Sequence, residues 1–343
     1  MNCFWKPFGT CQAKRQGQNS EFELTSTVCF VFRRVKESQL LVAVRHLITC
    51  FAVTVLALGP VIVSAQADVE ARHYTLWYRN YDNPATYALV KLALQKTPEY
   101  GEFAIHRSQE LTQGRALREL ATNSRSIPLD IANVATTVER ETALNTVPVP
   151  VDGGLLGFRV CLTLPENVHR FSEINNLRDL QESDIRIGQG AHWPDSSILK
   201  ANGIPVVTHT RYEILFRMLR NDRFDCFARG VSEVLYDQRV QKAEDLVIEP
   251  HLLLAYPMPS YLFTAPDDRA TAQRLQLGLE RAIEDGSFSK YLQTWYSQPV
   301  RELNLKQRTV IILDNPFLSD TSYENGRRIL ENLYRRIDML EGN

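Results

Sequence analysis

The segment Ile185 to Gly230, IRIGQGAHWPDSSILKANGIPVVTHTRYEILFRMLRNDRFDCFARG, constrains the fold more than any other part of the chain. It reads as strand, polar turn, helix, strand, capped helix and strand, so strand and helix periods alternate within one short stretch. The Gln189-Gly190-Ala191-His192 turn precedes the first helix, where unpaired backbone N–H groups can receive an anion or a ligand oxygen. Thr210 and Glu213 have capping-box spacing for the second helix, and Tyr212, Leu215, Phe216 and Leu219 share its apolar face.

The remainder of the chain repeats this alternation. His73 to Tyr78 reads as a strand, and Asn83-Pro84 starts a helix whose Tyr87, Val90 and Leu94 share a face before Pro98. Phe103 to His106, Leu111 to Leu120 and Leu129 to Val134 come next as strand, helix and buried strand. Such a β-α-β-α-β order belongs to an open sheet covered by helices. Val147 to Gly157 interrupts the pattern with Pro and Gly, and Leu252 to Thr264 reads as a second crossover. After it comes a helix with Leu275, Leu279, Ala282 and Ile283 on one face, a stop at Gly286, and a helix carrying Tyr291 and Trp295. Thr309 to Asn315 predicts a strand, and Tyr323 to Leu340 a charged amphipathic helix or tail.

With 343 residues, 44% apolar and 23% charged, the chain can build two lobes. A formal charge of -1 leaves no basic footprint for nucleic acid. Leu47 to Val63 is apolar, comes after Arg45 and precedes Ser64-Ala65-Gln66-Ala67, the form of a secretory signal peptide cleaved after Ala67. Residues 1–67 are therefore expected to be a mis-assigned start plus signal peptide, and the mature chain from Asp68 carries a net charge of -5. Cys161 and Cys226 remain, either as two buried thiols or as a disulfide. The histidines are scattered, with no HExxH or Cys/His cluster, and Gly153-Gly154-Leu155-Leu156-Gly157 lacks the Lys and Ser or Thr of a phosphate loop. Neither metal nor cofactor is expected.

Together with Arg140 in PLDIANVATTVERE, the Ile185–Gly230 segment resembles the extracellular solute-binding proteins of family 3, the amino-acid-type periplasmic receptors of ABC importers, over roughly Tyr74 to Tyr296. The resemblance implies a two-lobed α/β periplasmic-binding-protein-like fold (type 2) with two crossover strands. Lobe 1 would hold 68–157 and 257–343, the latter including a C-terminal extension, and lobe 2 would hold 158–256. It implies a periplasmic monomer that captures a small carboxylate-bearing solute, an amino acid or another organic anion, for an ABC transporter permease. Arg140 would clamp the carboxylate with Thr136 and Thr137 as neutral helpers, although a surface arginine paired with Glu139 or Glu141 is the alternative.

Trp77, Tyr78 and Tyr81 would wall the cleft, with only one of Trp77 and Tyr78 facing it from a regular strand. Gln189, Gly190, Ala191 and His192 complete the ligand set. Arg229 and Gly230 stand where amino-acid receptors usually place an acid for the ligand ammonium, so Arg229 would welcome a second acid group, or would pair with Asp225 or Glu233. Two alternatives stay open. One is a sensory module for a membrane receptor; the other is a cyclohexadienyl-dehydratase-like enzyme on the same fold, with Glu102, Asp195 or Glu233 moving a proton.

Overall fold

The computed structural model describes residues 71–122 and 127–341, so the expected signal peptide and the segment before it lie outside the described residues. The chain forms the two-lobed α/β architecture with two crossovers. In the first lobe, β1 (Arg72–Leu76) pairs in parallel with β2 (Phe103–Arg107), and a parallel bridge between Leu76 and Ile131 joins β1 to the segment that enters β3 (Ala132–Ala135). The chain continues through β4 (Asn145–Val147) into β5 (Phe158–Thr163), β6 (Ile187–Gly190), β7 (Val206–His209), β8 (Cys226–Gly230), β9 (Val247–Ile248) and β10 (Leu252–Ala255). It then returns to the first lobe in β11 (Ser260–Thr264), antiparallel to both β3 and β4.

The two sheets have the same plan. The first runs β2-β1-β3-β11-β4 and the second β7-β6-β8-β5-β10, each with one antiparallel strand supplied by a crossover. The second sheet is extended at its edge by β12 (Thr309–Ile312), parallel to β10, which places the predicted late strand beside 252–255. Every residue of β5, β8, β10 and β11 is buried, as expected of strands covered on both faces.

Local signals explain the helices. The Asn83 side chain accepts the Thr86 N–H at 3.0 Å and Pro84 starts the helix Pro84–Gln95, which buries Leu89, Val90, Ala93 and Leu94 and leaves Tyr87 half-buried. Asp268 caps Arg269–Glu284 in the same way, but Ile283 on that helix is exposed, one residue past the buried Ala282. The capping box expected at Thr210 is absent: Arg211 is the N-cap residue of Tyr212–Arg220, and the helix is held by its buried Tyr212, Leu215, Phe216 and Leu219.

One apolar cluster passes through the junction of the lobes. It joins Leu89, Val90, Leu262 and Leu279 of the first lobe to Phe158, Val160, Val231 and Leu253 of the second, with Leu292, Ile329 and Ile337 from the C-terminal helices. Cys161 and Cys226 are disulfide-bonded across the neighbouring strands β5 and β8, with Cα atoms 5.0 Å apart and a sequence separation of 65. Closing a loop of that length constrains the unfolded chain by about 4 kcal/mol at most. Replacing both cysteines by Ala is expected to lower stability by about 2–4 kcal/mol. Denaturant unfolding without reductant, compared with the parent protein, checks the value.

Candidate functional site

Between the lobes lies a cavity of about 220 Å³, walled from the first lobe by Trp77, Tyr78, Arg79 and Asn133, and from the second by Trp193, Tyr212, Arg229 and Tyr236. A second opening beside it is lined by Gln113, Gly190, Ala191, His192 and Arg211 among others. The lobes touch on both sides of this space. The Tyr236 hydroxyl donates to the Asp82 carbonyl at 2.6 Å, and Arg140 Nη2 donates to the His192 carbonyl at 2.9 Å.

Strand β1 ends at Leu76, where Trp77 becomes the N-cap of the short helix Tyr78–Tyr81. This turn ends strand alternation: Tyr78 and Trp77 both border the cavity, while Trp77 is at the same time buried in a core cluster, as expected of one of the pair. Trp77 is held by its indole N–H, which donates to the Leu111 carbonyl at 3.1 Å. Tyr81 is not a lining residue; it stands edge-on to Tyr87, with ring centroids 5.1 Å apart, over the main apolar cluster.

The same turn brings in a residue that the sequence reading missed. Arg79 places its guanidinium 3.9 Å from the centre of the Tyr212 ring and 5.9 Å from that of Trp77, a cation–π arrangement across the lobes. Among the described residues it makes no hydrogen bond or ion pair. Its neighbours in the sequence, Trp77 and Tyr78, were the available signal.

Arg140 sits on the short helix Val138–Ala143, whose N-cap Thr137 accepts the Arg140 N–H at 3.3 Å. Its guanidinium bonds the Ala135 carbonyl, the Gln113 side-chain oxygen at 3.2 Å and the His192 carbonyl. None of these acceptors is a carboxylate, and burial pushes the Arg140 pKa down to about 10. Glu141 is bound to Thr136, Ser319 and Ser322 instead, and Glu139 and Asp195 act on Arg140 only through space, without an ion-pair contact. Thr136 is fully buried and donates to Glu141 at 2.6 Å, so the two threonines shape the helix rather than face the cavity.

The turn after β6 departs from expectation. Gln189 is fully buried, its amide donating to the Ala228 carbonyl at 2.9 Å, and it lines neither opening. The helix begins only at Pro194, which has no N–H, and the N–H groups of Ala191 and Trp193 are already bonded to the His209 and Gly190 carbonyls. Those two turn N–H groups are therefore spent inside the protein. Gly190, Ala191 and His192 line the second opening, and His192 offers its carbonyl to Arg140.

Arg229 lies at the cavity wall but is already matched. Its Nε donates to Asp237 at 2.7 Å, Nη2 lies 2.9 Å from Glu233, and the guanidinium stacks over Trp193 at 4.7 Å. Arg159 beside it pairs with Asp195 at 2.8 Å and with Glu233 at 3.4 Å, while Tyr256 donates to Asp195 at 2.6 Å. The pairing alternative with Glu233 is thus the one formed, whereas Asp225 binds Arg170 and Arg186 elsewhere. Burial opposes charge on Glu233, but Arg229 and Arg159 hold its carboxyl below the usual range; burial raises Asp237, which Arg229 only partly offsets. Two buried atoms at this wall have no hydrogen-bond partner, Arg159 Nε and the Tyr212 hydroxyl oxygen. Glu102 is exposed and outside both openings. No group of three or more His, Cys, Asp or Glu that could hold a metal ion occurs among the described residues, and no described helix is long and apolar enough to cross a membrane.

No family model matches the chain, and no curated protein matches it. Solved structures do. An ancestral amino-acid-binding protein, a precursor of cyclohexadienyl dehydratase, is 14% identical with a TM-score of 0.47, covering 65% of this chain and 95% of that one. A periplasmic binding protein of Salmonella typhimurium with high arginine specificity is 14% identical at TM-score 0.46, covering 66% and 100%. An amino acid ABC transporter substrate-binding protein of Streptococcus pneumoniae, bound to L-arginine, is 13% identical at TM-score 0.48, covering 66% and 95%. At these values none of them speaks for the ligand or activity of this chain.

Replacing Arg229 by Met would leave the buried Asp237 without its arginine, next to the half-exposed Glu233, and is expected to cost about 3 kcal/mol of stability. Because the folded Glu233 titrates below its ordinary 4.5, its contribution is complete above that pH and fades as pH falls through the depressed folded value. Glu233→Gln should therefore flatten the acid limb of the stability curve, which urea unfolding between about pH 3 and pH 7 would resolve.

Proposed function

We infer that the protein captures a small carboxylate-bearing solute between its lobes and presents it to a membrane partner, an ABC transporter permease. One observation carries this reading. Arg79 lines the cavity, and Arg140, which lines neither opening, reaches across the lobes to the His192 carbonyl; neither guanidinium has a carboxylate within ion-pair distance among the described residues, whereas Arg159 and Arg229 opposite them are paired with Asp195, Glu233 and Asp237. A guanidinium in a desolvated cleft gains most from a carboxylate, which accepts two parallel charge-assisted bonds. The aromatic walls at Trp77, Tyr78 and Trp193 suit the apolar body of such a solute.

The anion-receiving cations in this reading are Arg79 and Arg140, both from the first lobe, in place of the Arg140 and Arg229 pair expected from sequence. Binding rather than proton transfer is favoured because Asp195 and Glu233, the cleft carboxylates weighed as acids, are each tied to an arginine. A periplasmic location accords with the Cys161–Cys226 disulfide, since such bonds persist in oxidising compartments.

A thermal-shift panel of amino acids, dicarboxylates, aromatic acids and polyamines should rank a carboxylate first, because a ligand of the native state raises apparent stability. Calorimetric titration with that solute is expected to show Arg140→Ala and Arg79→Met each weakening binding by about thirtyfold or more, the loss of a charge-assisted contact worth about 2 kcal/mol. A polyamine as the best ligand, or unchanged affinity in both variants, overturns the reading.

A further inference from the structure

The C-terminal segment touches both lobes and both crossovers. From β12, which is paired to β10 of the second lobe, the chain bonds Asp314 to the side chain of Asn202 through both its N–H and its carbonyl, at 3.0 and 2.8 Å. The buried Asn315 then donates to the Pro257 carbonyl in the second crossover at 2.7 Å, and the Phe317 carbonyl accepts the Val138 N–H at the start of the helix bearing Arg140. The helix Asp320–Glu331 comes next. Ser319 and Ser322 donate to the two oxygens of Glu141 at 2.7 and 2.6 Å, and the same carboxylate takes the Thr136 hydroxyl.

This helix lies directly on the points where the chain changes lobes. Gly153 and Gly154 of the first crossover have φ of 66° and 91°, a backbone region that only glycine enters freely. Ile329 packs where a Gly154 side chain would stand, and Arg336 of the helix Leu333–Glu341 donates to the Gly153 carbonyl. Gly326 is pressed on Pro257 of the second crossover so closely that an added Cβ would meet it at 2.6 Å. Rotation of one lobe against the other must change the backbone at these crossovers, and so must slide or break contacts that the segment makes.

We propose that residues 313–340 are a strap that fixes the angle between the lobes and, through Glu141, holds the helix that carries Arg140. Opening the cleft then costs the strap contacts in addition to the contacts across the cleft mouth. The strap is part of the same chain, so its effect needs no solute, and its test stands apart from the identity of the ligand.

Gly326→Ala in the full chain separates a strap from an ordinary surface helix. Alanine is the best helix former and would stabilise a merely structural helix, whereas here its methyl group must push the helix away from Pro257. Amide hydrogen exchange at Val151, Gly154, Gly157 and Tyr256 is expected to accelerate about tenfold or more, with β6 and β8 unchanged, and the radius of gyration from small-angle scattering should rise. Arg336→Met, which removes the bond to Gly153 and the charge near Asp152 of the same crossover, should move both readouts in the same direction and decides the matter alone if Gly326→Ala fails to fold. Unchanged or slower exchange at the crossovers overturns the proposal. Faster exchange at an unchanged radius of gyration overturns it too, because it shows loosening without opening.

Discussion

Beneath the cleft, Tyr256, Asp195, Arg159, Glu233, Arg229 and Asp237 form a run of alternating donors and acceptors in which two arginines are placed against three carboxylates. Removing an ion from water costs several kcal/mol unless a partner is placed against it, so such a run tolerates little displacement. Its members come from β5, the helix after β6, β8, the helix after β8 and the second crossover. Packing those elements correctly is therefore what sets the second lobe's face of the cleft. It leaves that face with three carboxylates for two arginines, and the Arg79 guanidinium opposite acts on two of those carboxylates, Glu233 and Asp237.

Much of the architecture was readable because it rests on short-range rules. Asn83-Pro84 starts its helix through a cap and a fixed φ, and the apolar face of Tyr212–Arg220 is a matter of period. Both crossovers announced themselves by composition. What failed to show was anything decided by a partner distant in the chain. The disulfide depends on β5 and β8 being neighbours, which is a property of sheet order. Arg229 could equally have met Asp225 or Glu233 on sequence spacing, and only the register of β8 against β5 and the helix after it turns the side chain toward Glu233 and Asp237.

The site shows the same division. Arg140 was expected from the resemblance and its setting after a Thr-Thr pair, but it lines neither opening, and those threonines serve the helix and Glu141. Trp77 and Tyr78 were legible too, but strand phase was the wrong rule because β1 stops at Leu76, and the same early stop is what swings Arg79 over Tyr212. The pattern at Gln189 suggests a set of free donors, and the geometry instead spends the Ala191 and Trp193 N–H groups on His209 and Gly190. Backbone bonds of this kind are common where a strand passes into a helix, and no side-chain pattern reports them.

The C-terminal segment adds a constraint that the two sheets alone do not have, since its apolar residues Ile329 and Ile337 belong to the cluster shared by both lobes. The cleft is thus a space whose walls are fixed by buried charges on one side and by a common core behind. The position of a bound solute tests this account most directly. A crystal structure with the solute that stabilises the protein best should place a carboxylate within hydrogen-bond reach of the Arg79 or Arg140 guanidinium, with its body against Trp77 or Trp193. A solute whose cationic group lies on Glu233 or Asp237, with both of those arginines untouched, would contradict it.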